Sequence, residues 1–208
     1  NIKLSDKAWL KNISYIYKNK KKYGSNNFKK KYNVEFVSAN PTGPLHVGHC
    51  RGAVFGDVIS KLLIFNGNKV TKEFYVNDYG NQINIFAKSV FYRLKEIKFK
   101  EPFPYDNNLY PGDYIIDIAN KILSKSPKIK LNNFDNIRKK LLKESINNSL
   151  FLIKKDLKRL GISHDKFFFE SEIVKKNLIK KSLKKLKKNK LVITGYLEPP
   201  KGEDNPNW

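Results

Sequence analysis

Apolar residues recur along this chain in two rhythms that alternate. Ala8, Trp9, Ile13, Ile16 and Tyr17 fall at spacings that fit one face of a helix within residues 1–19. A basic, polar stretch at 18–31, broken by Gly24, predicts a linker or loop. The run YNVEFVS at 32–38 has a strand's composition, with Val34, Phe36 and Ser38 alternating against Glu35 and Val37. Pro41, Gly43 and Pro44 then forbid a helix before Leu45. From His49 the period lengthens. Val54, Val58, Leu62 and Phe65, joined by Ile59 and Leu63, repeat at helical spacing up to Asn66-Gly67-Asn68, a C-terminal stop. KVTKEFYVND, 69–78, reads as a second strand, Tyr79-Gly80 as a turn, and a helix is expected over about 81–95. Strand, helix, strand, helix is the order of a βαβ unit and predicts an α/β fold with a parallel sheet.

Past Lys100 that order lapses. EPFPYDNNLYPG reads as a loop, and 112–124 as a helix with Ile115, Ile116, Ile118, Ala119, Ile122 and Leu123 as its apolar members. A long helix is expected over 133–160, through Ile137, Leu141, Ile146, Leu150, Ile153, Leu157 and Leu160, with Gly161 closing it. FFFE at 167–170 is short and extended, 172–189 helical and basic, and LVITGYLEPPKGEDNPNW a strand followed by open loop. Three parts are therefore expected: a helix and basic linker over 1–30, an α/β unit over 31–100, and a mainly helical appendage over 101–208 that returns toward it.

Charge adds a hint about partners. Lysine and arginine number 42 against 19 acidic residues, a formal +23 that suits a polyanion such as nucleic acid. Arginine occurs only at 51, 93, 138 and 159, so abundant Lys, Asn and Ile also reflect biased codon usage, and only clustered lysines count as evidence. The single cysteine, Cys50, excludes an intrachain disulfide and fits a reducing, cytoplasmic location. No apolar run reaches the roughly 18–20 residues of a membrane span. The chain starts at Asn1, has no methionine and stops at Trp208 after a Pro/Gly-rich run, which reads as a piece of a longer protein.

Two of the three histidines, His46 and His49, stand three apart around Gly48 in SANPTGPLHVGH. A zinc pair needs histidines four apart with a glutamate between them, or further Cys/His ligands, so no protein-made metal site is expected. A tight structural connection with the histidines capping backbone remains open on the residues alone. A strand, a Gly/Pro turn and a helix start would instead place free N–H groups above the carboxyl edge of a parallel sheet, where ligands of open α/β sheets bind. Imidazoles there can donate to phosphoryl oxygens, and Gly48 admits a flat ring or a phosphate close to the backbone. The spacing matches neither the lysine-bearing phosphate loop nor GxGxxG. Adjacent residues at a helix start diverge, which argues against Cys50 and His49 as a nucleophile pair. Arg51 and Asp57 read as an internal ion pair or as pocket wall.

HVGH is a form of the HIGH-type motif of class I aminoacyl-tRNA synthetases. The whole block VEFVSANPTGPLHVGHCRGAVFGDVISKLLIFNGNKVTKEFYVNDYGNQI resembles the start of the catalytic domain of bacterial arginyl-tRNA synthetases, and YPGDYIIDIA, KKDLKRLGI and GYLEPPKG resemble later segments of that family. The resemblance covers about residues 30–208 and implies a Rossmann-like class I sheet, of which 31–100 is the first half and 101–208 a helical insertion. Glu35…Ser38-Ala39-Asn40-Pro41 is what selects the arginyl branch. It implies that Glu35 holds arginine through its charge and Asn40 through the amino acid end, with Ser38 beside them. The HIGH-type region would run Ala39, Asn40, Pro41, Thr42, Gly43, Pro44, Leu45, His46, Val47, Gly48, His49. Within it Pro44, His46, Gly48 and His49 would contact ATP, and His46 and His49 would steady the α-phosphate. Asn77, Asp78, Gly80 and Gln82 resemble the family's NDxGxQ segment and would support the pocket, although Asp78 also reads as a cap for the helix near Asn81.

The implied reaction is ATP-dependent formation of arginyl-adenylate followed by transfer to tRNA(Arg), with Mg2+ carried by ATP. The implied protein is a monomer at full length, with no membrane partner. The family's tRNA-elbow domain, KMSKS-like loop and anticodon domain are not visible here, so this stretch alone is expected to be inactive. Two other readings stay open: another class I synthetase or related adenylyl-transferring enzyme, and a basic RNA-binding module.

Overall fold

The computed structural model describes residues 2–192 and Gly195. Helix α1 (Asp6–Asn19) is capped by Ser5, whose Oγ accepts from the Ala8 amide at 3.3 Å, yet it buries none of its residues. A single 3₁₀ turn (Lys20–Lys22) and an irregular stretch lead to strand β1 (Lys31–Glu35). Helix α2 (Val47–Phe65), strand β2 (Lys69–Val76) and helix α3 (Asn81–Phe99) follow. Next come α4 (Asp113–Lys125), α5 (Phe134–Arg159), β3 (Lys166–Phe169), α6 (Glu170–Lys175) and α7 (Leu178–Lys188). The strand expected toward the C-terminus lies outside the described residues, apart from Leu191, Val192 and Gly195, which join no regular element.

The three strands form one parallel sheet in the order β1-β2-β3, so the expected α/β arrangement is present. Both crossovers run in the same direction across the sheet, which puts their helices on one face. That face carries Val34, Phe36, Phe74, Val76, Phe167 and Phe169 against Ala53 of α2, Ile83 of α3, and Ile146, Leu150, Ile153 and Leu157 of α5. By strand alternation Asn33, Glu35, Glu73, Tyr75, Lys166 and Phe168 share the other face, and none of them is buried.

Four sequence expectations change. The first strand stops at Glu35, three residues early, because Val37 (φ 67) and Ser38 (φ 41) turn into left-handed backbone. For β-branched Val37 this is a strained conformation, costing on the order of 1–3 kcal/mol. Helix α2 begins at Val47, two residues before His49. The residues α2 buries are Ala53, Gly56, Asp57 and Ser60, whereas Val54, Val58 and Leu62 of its regular apolar stripe stay about half exposed (49 %, 47 % and 56 %). The reason is close approach. A Cβ on Gly56 would collide with the ring of Phe36, so only a small-residue face lets α2 sit on the sheet. Arg51 does not pair with Asp57. The buried Asp57 carboxylate instead meets Lys61 one helical turn on (2.6 Å) and Lys72 of β2 (3.5 Å).

The chain between β2 and β3 builds its own core. Phe86, Val90 and Leu94 of α3, Ile115, Ile118 and Ile122 of α4, and Leu141 of α5 close on one another. Helix α5 serves both cores, its first half here and its second half beneath the sheet. The loop before α4 is pinned by Arg93, which donates to the Pro111 carbonyl (2.9 Å) and stacks 3.9 Å from the Phe103 ring centre.

Candidate active site

Every sequence-nominated residue lies on or just beyond the carboxyl ends of β1 and β2. Parallel strands deliver their loops to one edge, so residues far apart in sequence meet there. Glu35 is the last residue of β1. The left-handed turn at Val37 and Ser38 folds the Ser38 side chain back, and its hydroxyl donates to Glu35 Oε1 at 2.8 Å while accepting from the Tyr75 amide at 3.1 Å. Among the described residues Glu35 Oε2 takes no bond, so one carboxylate oxygen stays open for a cation. Asn40, exposed, donates to Gln82 Oε1 at 2.9 Å and so ties the loop after β1 to the first turn of α3. Ala39 and Pro41 are buried beneath that loop, and Thr42 is held by Tyr114, whose hydroxyl donates to its carbonyl at 2.9 Å. Burial, with Tyr110 nearby, pushes the Tyr114 phenol up to about 12, so it stays a donor.

The histidines form one unit at the start of α2. His46 is the N-cap, and its amide donates to His49 Nδ1 at 3.3 Å. Their rings stack 3.7 Å apart and 26° from parallel. An accepting Nδ1 puts the His49 proton on Nε2, which leaves that N–H free for an incoming oxygen. Burial first, then the neighbouring His46, lowers the pKa of His49 from its ordinary value, which favours the neutral ring. The adjacent exposed Gly48 keeps this end uncrowded: a Cβ there would press on the His46 ring at 3.1 Å. Pro44, Leu45 and Val47 flank the pair, Pro44 and Val47 exposed. No hydrogen bond among the described residues joins the histidines to Glu35, Ser38 or Asn40.

Asn77 and Asp78 follow β2. With its amide nitrogen facing the two oxygens, Asn77 donates to Glu170 Oε2 (2.6 Å) and to the Tyr79 carbonyl (3.2 Å). Asp78 does not cap α3. Its Oδ1 accepts from the Ser171 amide (2.8 Å) and its Oδ2 from the Ser171 hydroxyl (2.6 Å), while Gly80 (φ 105) takes the N-cap place without a side-chain bond. Tyr75 feels Glu170, Asp78 and Glu35 together: burial, then those three carboxylates in that order, raises its phenol.

Tyr75, Glu170 and Ser171 escaped the sequence reading. The clue was present in FFFE, since an acid closing a third short strand reaches the same carboxyl edge as Asp78.

Comparison with known proteins shows the family. A family model described as tRNA synthetases class I (R), catalytic domain, matches residues 12–195. The arginine--tRNA ligase of Pelagibacter ubique is 54% identical across the whole chain, which spans 37% of that protein. That of the Wolbachia of Brugia malayi is 42% identical with the same coverage. A solved Campylobacter jejuni chain, described as an arginyl tRNA synthetase, superposes with a TM-score of 0.81 at 33% identity, over 92% of this chain and 42% of that one. The Thermus thermophilus arginyl-tRNA synthetase, at 23% identity and a TM-score of 0.53, shares the fold. The present chain therefore spans about 37% of the length of the curated relatives it matches.

Proposed function

Because this chain belongs to the class I (R) tRNA synthetase catalytic-domain family, we propose that its carboxyl-edge site takes arginine and ATP for the first step of tRNA(Arg) charging. The observation that carries the reading is the Glu35 carboxylate at the end of β1, held by Ser38 on one oxygen and open on the other, followed in the chain by a helix that starts with stacked histidines. Guanidinium recognition needs carboxylates with unused lone pairs, which Glu35 supplies. Asn40 takes the amino acid end.

In the first step the arginine carboxylate attacks the α-phosphorus of ATP and pyrophosphate leaves. Charge building on the α-phosphoryl oxygens is met by His49 Nε2–H, by His46 and by the free amides opening α2. Pro44 and Gly48 leave room for the nucleotide. The terminal ribose hydroxyl of tRNA then attacks the adenylate carbonyl and AMP departs. No covalent enzyme intermediate is needed, so positioning and electrostatics carry both steps. Magnesium arrives with ATP and offsets charge on its phosphates.

Polyanion binding falls to α7. Its exposed sequence LIKKSLKKLKK has six lysines and no acid, and each phosphate contact steepens the fall of affinity with salt. The proposed setting is the cytoplasm, and among the described residues no helix is long and apolar enough to cross a membrane.

The test is arginine-dependent ATP–pyrophosphate exchange with tRNA present, measured with this stretch in place within a full-length synthetase. Glu35→Gln should raise the KM for arginine about tenfold or more, the value of a charged hydrogen bond. His49→Ala should lower kcat about a hundredfold, as loss of one transition-state donor does. Exchange driven by another amino acid, with arginine inert, would replace this substrate.

A further inference from the structure

Val76 and Phe169 are the last paired residues of the β2–β3 ladder. Beyond them the same register continues through side chains. Asn77 meets Glu170, and Asp78 meets Ser171, the latter through two bonds of 2.8 and 2.6 Å between residues 93 positions apart. Both Asp78 oxygens are thereby occupied by Ser171, whereas Glu170 is gripped on Oε2 alone. Asp78 is thus spent on its neighbour, and Glu170 keeps an oxygen for a ligand.

We propose that Asp78 and Ser171 form a positioning clasp that ties the end of β2 to the first turn of α6 and sets the Glu170 carboxylate toward the sheet face that carries Tyr75 and Glu35. This rests on the arginine reading of the pocket and deepens it: Asp78 and Ser171 act through Glu170 and do not grip the substrate. Backbone bonds cannot perform this task beyond Phe169, because the chain turns there into α6. A carboxylate accepting from an amide and a hydroxyl of one residue fixes that residue's orientation, and with it the side chain of the residue before it.

The experiment places this stretch within a full-length synthetase and compares the wild-type protein with Ser171→Ala, Ser171→Thr, Asp78→Ala and the double alanine variant. Arginine affinity is read by titration without ATP, and KM for arginine and ATP from pyrophosphate exchange. Ser171→Ala should weaken arginine about tenfold with the KM for ATP and the melting temperature unchanged, and Ser171→Thr should restore it. The double variant should be no worse than Asp78→Ala, because both changes remove one shared interaction. Impairment in Asp78→Ala with Ser171→Ala at wild-type affinity would mean that Asp78 acts by charge alone, and would overturn the clasp. Multiplying effects, or a parallel loss for ATP, would overturn it too. A wild-type chain indifferent to arginine would remove the pocket reading and the clasp together. If Asp78→Ala fails to fold, the Ser171 pair still decides.

Discussion

Helices α2 and α4 both carry apolar residues at helical spacing, yet those residues sit in opposite surroundings. In α4 the residues Ile115, Ile118 and Ile122 are buried against α3 and α5. In α2 the stripe Val54, Val58 and Leu62 stays open, Phe55 beside it is 69 % exposed, and the sheet receives Ala53, Gly56 and Ser60. Periodicity announces that a helix has an apolar stripe. It does not say whether this sheet or something else receives it. In α2 the Phe36 ring occupies the space a larger side chain would need.

Four measurements would break or sharpen this contrast, beginning with the largest. Ile118→Ala should destabilise the chain by about 2–5 kcal/mol in urea unfolding, since it empties a closed core site. Gly56→Val should cost about 1–3 kcal/mol by forcing Phe36 out of place. A loss below that for Gly56 would show that α2 can lift off the sheet cheaply.

The third is acid sensitivity of the sheet side. The His164 ring lies 4.2 Å from that of Phe36, tilted by 35°, and its Nε2 is 3.2 Å from the Phe36 carbonyl, while Nδ1 is buried without a partner among the described residues. Burial is the largest cause of its lowered pKa, and the bond to Phe36 opposes it only in part. His49 is lowered as well. A histidine depressed on folding takes up its proton more readily when unfolded. Stability from both groups is therefore full above the ordinary 6.5 and is lost as pH falls below it toward the folded values. Thermal melts between pH 8 and about 5 should show the decline. His164→Phe should flatten part of it, and an unchanged slope would assign the sensitivity elsewhere.

The smallest effect is expected on the open stripe. Val58→Ser should shift stability by under about 0.5 kcal/mol while reducing binding of an apolar fluorescent dye. A cost near that of Ile118→Ala would mean the stripe is covered in solution.

Much of the site was legible beforehand because its chemistry is local. His46, Gly48 and His49 share one helix start, Glu35 and Ser38 one strand end, and a Pro/Gly turn between them tells where the edge lies. Asn40–Gln82, Asn77–Glu170 and Asp78–Ser171 join residues 42 to 93 positions apart and leave no periodic trace. Asp78 illustrates the limit: its place before α3 suggested a cap there, and Ser171 in the first turn of α6 supplied a better donor pair.

The sequence by itself determined the elements, their parallel order and the edge at which the chemistry sits, because propensity, periodicity and turn residues act over a few positions. Only the tertiary structure decided which face of α2 is buried, that Ser171 partners Asp78, and that Asn77 holds Glu170 at the end of β2. Those outcomes depend on the volume of Phe36 and on the β2–β3 register, and neither exists until distant segments are packed together.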